Sequence, residues 1–371
     1  METSHNPRNG YTIVSQLLSS PVSRPDYQGA LGRVGRRIED NRLRAVVIKE
    51  MALGIKMIRL SNGMPCPDPL PITGAQFSLR DGTVVTMDQN DMDAITSYNY
   101  CEGIQELRNW LTELTRLEHK PPQLEMADHP EPFDLTITNG STDATRGIFH
   151  IMLDEGDSIL LENDVYSTTI GQIKLFGANP VTVDSDEQGM LADHLESILS
   201  SWPQTHPKTK RPRVLFAITS CNNPTSYTWH EERLAAVYLV CRKYDVIILE
   251  DGAYYFLQFG ERKRSFQSLD VDGRVVRMDT FSKLIGAGYR LGWISGPATI
   301  ISRYLRSMAQ NTIHPSVLSQ LLVYRILHQW GHERFQVEVK HLAAEYKKRA
   351  QLMVKALEKY CTGKSKKTIG C

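Results

Sequence analysis

Arg274–Pro297 reads RVVRMDTFSKLIGAGYRLGWISGP, and the fold turns on how this stretch is understood. Val275-Val276 is a β-branched pair that reads as the end of a buried strand. The run stops at Asp279-Thr280-Phe281-Ser282-Lys283, a polar break holding one lysine. Gly286 and Gly288 then allow a positive φ or a close approach to something bound. Arg290 follows, ahead of a second apolar segment, Leu291-Gly292-Trp293-Ile294. A lysine and an arginine seven positions apart, at strand edges and separated by glycines, suit one ligand. Its aldehyde would meet the amine and its phosphate the guanidinium. Taken alone, the same pair could be two surface cations in a loop.

Outward from this stretch the pattern is strand, turn, helix, repeated. Leu135-Thr136-Ile137-Thr138 alternates, Asn139-Gly140-Ser141-Thr142 turns, and Ala144 to Leu153 is helical. A helix that starts straight after a glycine turn offers unpaired N–H groups to a phosphate. Ser158 to Glu162 is a strand, followed by Asn163-Asp164-Val165-Tyr166. Val214 to Ile218 is another, ending at Ser220-Cys221-Asn222-Asn223-Pro224-Thr225. The helix His230 to Tyr244 leads into Val246 to Glu250, with Asp251 just past that strand. Upstream, Ile104 to Leu117 is a helix with Leu107, Trp110, Leu111 and Leu114 on one stripe. After Pro297 the chain is helical over Ala298–Gln310, Ser316–Gln329 and Glu333–Tyr360. Short apolar strands alternating with helices predict an α/β fold: a three-layer α/β/α large domain around a mostly parallel sheet. In such sheets ligands sit outside the carboxyl ends of the strands, where these polar clusters fall.

Composition narrows the class. The chain has 371 residues, a net charge of +1 and 23% charged residues, so it lacks the bulk charge that binds nucleic acid or membrane. No apolar run approaches the roughly 20 residues a membrane span needs. The six cysteines are scattered without metal spacing, as in a reducing compartment. His230-Glu231-Glu232-Arg233-Leu234 lacks the second histidine of a zinc helix, and Thr280-Phe281-Ser282-Lys283 lacks the serine of an acyl-enzyme motif. Residues 1–40 read as a flexible arm packing on a partner, with mitochondrial import as the weaker alternative.

Pyridoxal 5'-phosphate gives the strand-end clusters one explanation. Lys283 would join the aldehyde and later move the substrate's Cα proton. Asp251 would pair with the ring nitrogen, Asn223 and Tyr254 would hydrogen-bond the phenolic oxygen, and Tyr166 would stack on the ring. Ser141, the Thr142 backbone, Ser282 and Arg290 would hold the phosphate. Singly, these residues are a helix cap, a turn or half-buried packing; their order along one chain argues against coincidence.

The chain resembles the fold-type I pyridoxal-phosphate-dependent aminotransferases of class I/II. Within them it is similar to the branch acting on kynurenine and 2-aminoadipate. The matching pieces are NGSTDA at Asn139, ENDVYS at Glu162, NNPT at Asn222, LEDGAYYFLQF at Leu249, SLDVDGRVVRMDTFSKLIGAGYRLGWISGP at Ser268, HPS at His314 and LHQWG at Leu327. The similarity runs from about Ile58 to Gly363. It implies an aspartate-aminotransferase-like fold and a homodimer with active sites at the interface. It also implies amino transfer from 2-aminoadipate, kynurenine or an aromatic amino acid to a 2-oxo acid such as 2-oxoglutarate, in the cytoplasm or the mitochondrial matrix. By the same resemblance Tyr98 reaches the neighbouring subunit's phosphate, Thr280 lines the cofactor site, and Gly63 and Asn223 lie near the substrate.

Departures from the family pattern are specific. Ser226 stands where relatives have glycine, Thr142 where close relatives have glutamine, and Thr280 where many have serine. Asp251-Gly252-Ala253-Tyr254 replaces D-D-P-Y. Nothing after Tyr360 reads as the small-domain sheet or the arginine that binds the substrate carboxylate, so cofactor binding is expected to be more robust than turnover. The expected organisation is an arm over residues 1–40, the start of a small domain over 41–70, the large domain over 71–324, and a connector helix with an incomplete small domain over 325–371. A β-lyase on the same scaffold, and an inactive isoform pairing with a full-length partner, are the competing readings.

Overall fold

The computed structural model describes residues 7–39, 63 and 71–361. The expected helix Val46–Leu60, the prolines after Gly63 and the tail Thr362–Cys371 lie outside the described residues. Eleven strands are named in chain order: β1 (Ala75–Ser78), β2 (Val84–Met87), β3 (Phe133–Thr138), β4 (Ser158–Glu162), β5 (Asn179–Val183), β6 (Ser185–Asp186), β7 (Gly189–Met190), β8 (Val214–Ala217), β9 (Ile247–Asp251), β10 (Val275–Thr280) and β11 (Gly292–Pro297). Seven of them form one sheet in the order β3-β11-β10-β9-β8-β4-β5. Every neighbouring pair is parallel except those of β11, which runs antiparallel to both β3 and β10. The sheet is therefore mostly parallel, and β3, β4, β8, β9 and β10 all end on one edge.

Both faces of the sheet are covered, which explains its continuous apolar strands. Ile159 and Leu161 of β4, Phe216 of β8 and Leu249 of β9 face one core with Ile148, Phe149, Ile301 and Tyr304. The alternate residues Leu160, Leu215, Ala217 and Ile248 face a second core with Leu195, Leu234 and Tyr238. These partners belong to the helices Ser141–Met152 and Ala298–Asn311 on one side, and Ala192–Thr205 and Glu231–Tyr244 on the other. A third core joins Leu107, Trp110, Leu111 and Leu114 to Trp293, Leu322 and the β1-β2 hairpin residues Val85 and Met87.

Residues 7–39 are laid against their own chain. The helix Pro7–Leu18 packs on the helix Glu231–Tyr244, burying Val14 and Leu17. Arg24 pairs with the fully buried Glu131, and the Tyr27 hydroxyl donates to the Gly273 carbonyl at 2.6 Å. At the other end, the helical run Val317–Tyr360 breaks at Gly331 (φ 62), between the two helices expected from sequence. Beyond Ala343 its apolar residues Tyr346, Leu352, Met353, Leu357 and Tyr360 are exposed.

Candidate active site

The five strand ends converge on one open cleft of about 310 Å³. Its wall brings together Ser141 and Thr142 after β3, Tyr166 after β4, Asn223 after β8, Asp251 and Tyr254 at the end of β9, Thr280 at the end of β10, and Ser282, Lys283 and Arg290 after it. Two expected residues are not on that wall. Tyr98 is 59% exposed, with its ring against His314. Gly63 is exposed, with no described residue within 4 Å of where a Cβ would stand.

One end of the cleft is built for an anion. The helix Ser141–Met152 opens at Gly140 (φ 85), and no side chain caps its first turn. Arg290 lies across that opening, donating to the Asn139 carbonyl and the Ala287 carbonyl at 3.1 Å and reaching the Ser282 hydroxyl at 3.4 Å. A Cβ at Gly140 would stand 2.9 Å from Arg290 Nη2, so a side chain there would push the guanidinium away. The Thr280 hydroxyl accepts the Ser282 N–H at 3.1 Å and fixes the short turn that carries Lys283. The left-handed residue of this stretch is Arg290 itself (φ 49), whereas Gly286 is extended and Gly288 is not in that region.

The other end is acidic and buried. Asp251 is 8% exposed and accepts one hydrogen bond, from the Ala253 N–H at 3.1 Å. Among the described residues it has no ion pair. Beneath it, Arg277 binds Asp279 through Nε (2.8 Å) and Nη2 (2.9 Å), and Glu250 through Nη1 (2.9 Å), all fully or nearly fully buried. One guanidinium thus serves a cluster of carboxylates at Glu250, Asp251 and Asp279. Burial, reinforced by Asp279, pushes the Asp251 carboxyl up to about 7. A protonated ring nitrogen would supply the cation this cluster lacks. The same cluster explains Gly252: a Cβ there would lie 2.1 Å from Arg277 Nη2 and 2.3 Å from Asp279 Oδ1.

Asn223 is held from behind. Its side chain donates to the Tyr254 hydroxyl at 3.3 Å, and burial raises the Tyr254 pKa. Its neighbour Asn222 donates to Glu162 at 2.8 Å, and the Trp229 indole donates to the other Glu162 oxygen at 3.1 Å. Burial without a cation pushes Glu162 up to about 8. The turn closes through the Ser226 N–H, donated to the Asn222 carbonyl at 2.6 Å. Ser226 has φ 65, so the position usually filled by glycine does require the left-handed region, at a strain of about 1 kcal/mol.

The residue set matches pyridoxal phosphate in kind. It has one lysine among the lining residues, an arginine over an uncapped helix start, a buried acid without a cation, and a tyrosine on the open side. Sequence reasoning missed Thr168, Thr169 and Gln172, which also line the cleft. All three lie on the helix Ser167–Leu175, and the one signal in the sequence was the polar run directly after Tyr166, since the helix that turns these residues to the cleft is not legible there.

The pH dependence of Asp251 is testable without any ligand. In the unfolded chain this carboxyl loses its proton near pH 4, whereas in the folded chain it keeps it until about 7. Between those values the folded state binds more protons, so stability falls as pH rises and the penalty is complete above 7. Melting the cofactor-free parent and Asp251→Asn at pH 5 and pH 8 should show the variant gaining relative stability at the higher pH. A constant difference would contradict the buried, unpaired carboxylate.

Comparison with known proteins agrees with this geometry. The model of the family "Aminotransferase class I and II" matches residues 56–368. The kynurenine/alpha-aminoadipate aminotransferase of Bos taurus, a mitochondrial protein, is 35% identical over 311 residues, covering 83% of this chain and 73% of that protein. An aromatic amino acid aminotransferase of Schizosaccharomyces pombe is 29% identical, covering 86% and 74%. Among solved structures, an aminotransferase from Candida albicans superimposes with a TM-score of 0.81 at 26% identity, over 92% of this chain and 78% of that one. The chain belongs to the class I and II aminotransferases, the pyridoxal-phosphate-dependent transaminases.

Proposed function

We propose that this transaminase moves the amino group of kynurenine, 2-aminoadipate or an aromatic amino acid to a 2-oxo acid such as 2-oxoglutarate. The observation that carries this reading is the one cleft in which Lys283, Asp251, Asn223, Tyr254 and Arg290 meet from three different strand ends. The donor class is supported by the named activities of the bovine and yeast relatives. The bovine relative's compartment favours the mitochondrion over the cytoplasm for this chain.

When bound, the cofactor supplies an aldehyde and an electron-withdrawing ring. Arg290, Ser282, Ser141 and the first N–H groups of the helix Ser141–Met152 hold its phosphate, with Thr142 and Thr280 beside them. Asp251 would keep a proton on the ring nitrogen, and Asn223 and Tyr254 would hydrogen-bond the phenolic oxygen. Tyr166, 37% exposed at the open side, covers a ring face. Lys283 is exposed to the cleft, where its amine would hold the aldehyde and, when free, would be the base for the substrate's Cα proton. Asn223 also borders the substrate side, with Gly63 assigned there by resemblance.

The working unit is proposed to be a homodimer. Tyr98, Tyr100, Ile313 and Leu318 are exposed large side chains of the kind a second copy would cover, and Tyr98, outside its own cleft, would serve the neighbour's phosphate. The test is a single-turnover assay of the reconstituted chain with each donor in turn. Conversion to the pyridoxamine form with release of the matching 2-oxo acid is expected. Pyruvate and ammonia from a substrate with a β leaving group, without the amino transfer, would replace this reading with a β-lyase.

A further inference from the structure

The helix Ser167–Leu175 reaches the mouth of the phosphate-binding helix through one side chain. Gln172, 8% exposed, donates its Nε2–H to the Thr142 carbonyl at 3.0 Å. Its other amide atom, Oε1, is buried with no hydrogen-bond partner among the described residues. Leaving an acceptor buried and unpaired costs about 1–3 kcal/mol, a cost an apolar residue of similar size would avoid. A side chain that costs stability where it stands calls for another reason to be there.

The geometry points to Gln172 as a positioning residue for the anion-binding N–H groups of the helix Ser141–Met152. The Thr142 carbonyl shares one planar peptide with the Asp143 N–H. That N–H belongs to the uncapped first turn, since the first N–H engaged inside the helix is that of Ala144, bonded to the Gly140 carbonyl at 3.1 Å. Holding the carbonyl on the Gln172 side therefore fixes the direction of the Asp143 N–H at the helix mouth. A donor on the carbonyl also polarises the peptide, which strengthens that N–H as a donor. Gln172 touches no ligand in this scheme and acts through the backbone of Thr142.

This inference rests on the proposal that the helix mouth holds the cofactor's phosphate, and the experiment separates the two. Equilibrium dialysis of the full cofactor-free chain measures affinity for pyridoxal phosphate and for pyridoxal, which lacks the phosphate. The parent is expected to prefer the phosphorylated form strongly. In Gln172→Met that preference should shrink by about 3–10-fold, the effect of one lost hydrogen bond, while pyridoxal affinity holds and the melting temperature does not fall. Gln172→Glu keeps the shape but has no donor and adds negative charge, so its preference should shrink further. Equal losses for both ligands, or an unchanged preference, would reduce Gln172 to packing and overturn the inference. A parent with no preference for the phosphorylated form would remove the phosphate cradle itself.

Discussion

Lys283→Ala is expected to abolish covalent cofactor attachment and, with it, amino transfer. Lys283 is the one lysine among the described residues lining the cleft, so no neighbour can take over the aldehyde. After borohydride reduction, the parent should carry a pyridoxyl label on the peptide containing Lys283, and the variant none. The visible band of the reconstituted parent should be missing from the variant for the same reason. Turnover should fall by at least ~10²–10⁴-fold, the share expected from proton transfer alone. Lys283→Arg should be as inactive as the alanine variant, because a guanidinium stays protonated and neither adds to an aldehyde nor takes a proton. The anion site does not depend on this side chain: Arg290 is held by Asn139, Ala287 and Ser282. Reversible, unlabelled cofactor binding should therefore survive in Lys283→Ala. A label of parental strength in the variant would overturn the assignment of the amine.

Arg277→Met should cost stability on a scale seldom reached by one substitution. Its guanidinium is fully buried between Asp279 and Glu250, and it stacks 4.8 Å from the centre of the Tyr255 ring. Removing one partner of a buried ion pair leaves the other charge uncompensated, which costs about 3–5 kcal/mol. Burial already raises the Asp279 pKa despite the arginine. Without the arginine that carboxyl would hold its proton to still higher pH. The loss should then be smaller at pH 5 than at pH 8, since at the lower pH the carboxyl left without its arginine takes up a proton more readily. Combining Arg277→Met with Asp279→Leu should recover part of the loss, as apolar replacement of whole buried pairs often does. Thermal melts of the cofactor-free chain at both pH values check each step. A loss independent of pH, unrelieved by the second substitution, would mean that packing rather than charge is at stake.

Much of this arrangement was legible in the residues. β4 has the bounds expected from its unbroken apolar run, Ser158 to Glu162, because a strand covered on both faces cannot alternate. The break between the two C-terminal helices was visible as Gly331, a residue free to take φ 62. β5 was not legible, because Asn179-Pro180-Val181 reads as a loop. The structure places it at the sheet edge, paired only with β4, where a missing N–H costs no ladder bond. The helix Ser167–Leu175 was equally hidden, since Thr168, Thr169 and Ile170 are poor helix formers rescued by packing.

The order of the motifs determined the class of fold and which amine, acid and cation could serve one ligand. A covalent nucleophile and its partners must be particular side chains at particular strand ends, and such requirements leave their mark in a single chain. What stands behind those side chains was decided only in three dimensions. Arg277 beneath Asp251, Glu162 behind Asn222 and Gln172 beside Thr142 belong to segments 26, 60 and 30 positions from their partners. No local pattern announces such contacts, because burial and electrostatic compensation depend on which strands lie side by side.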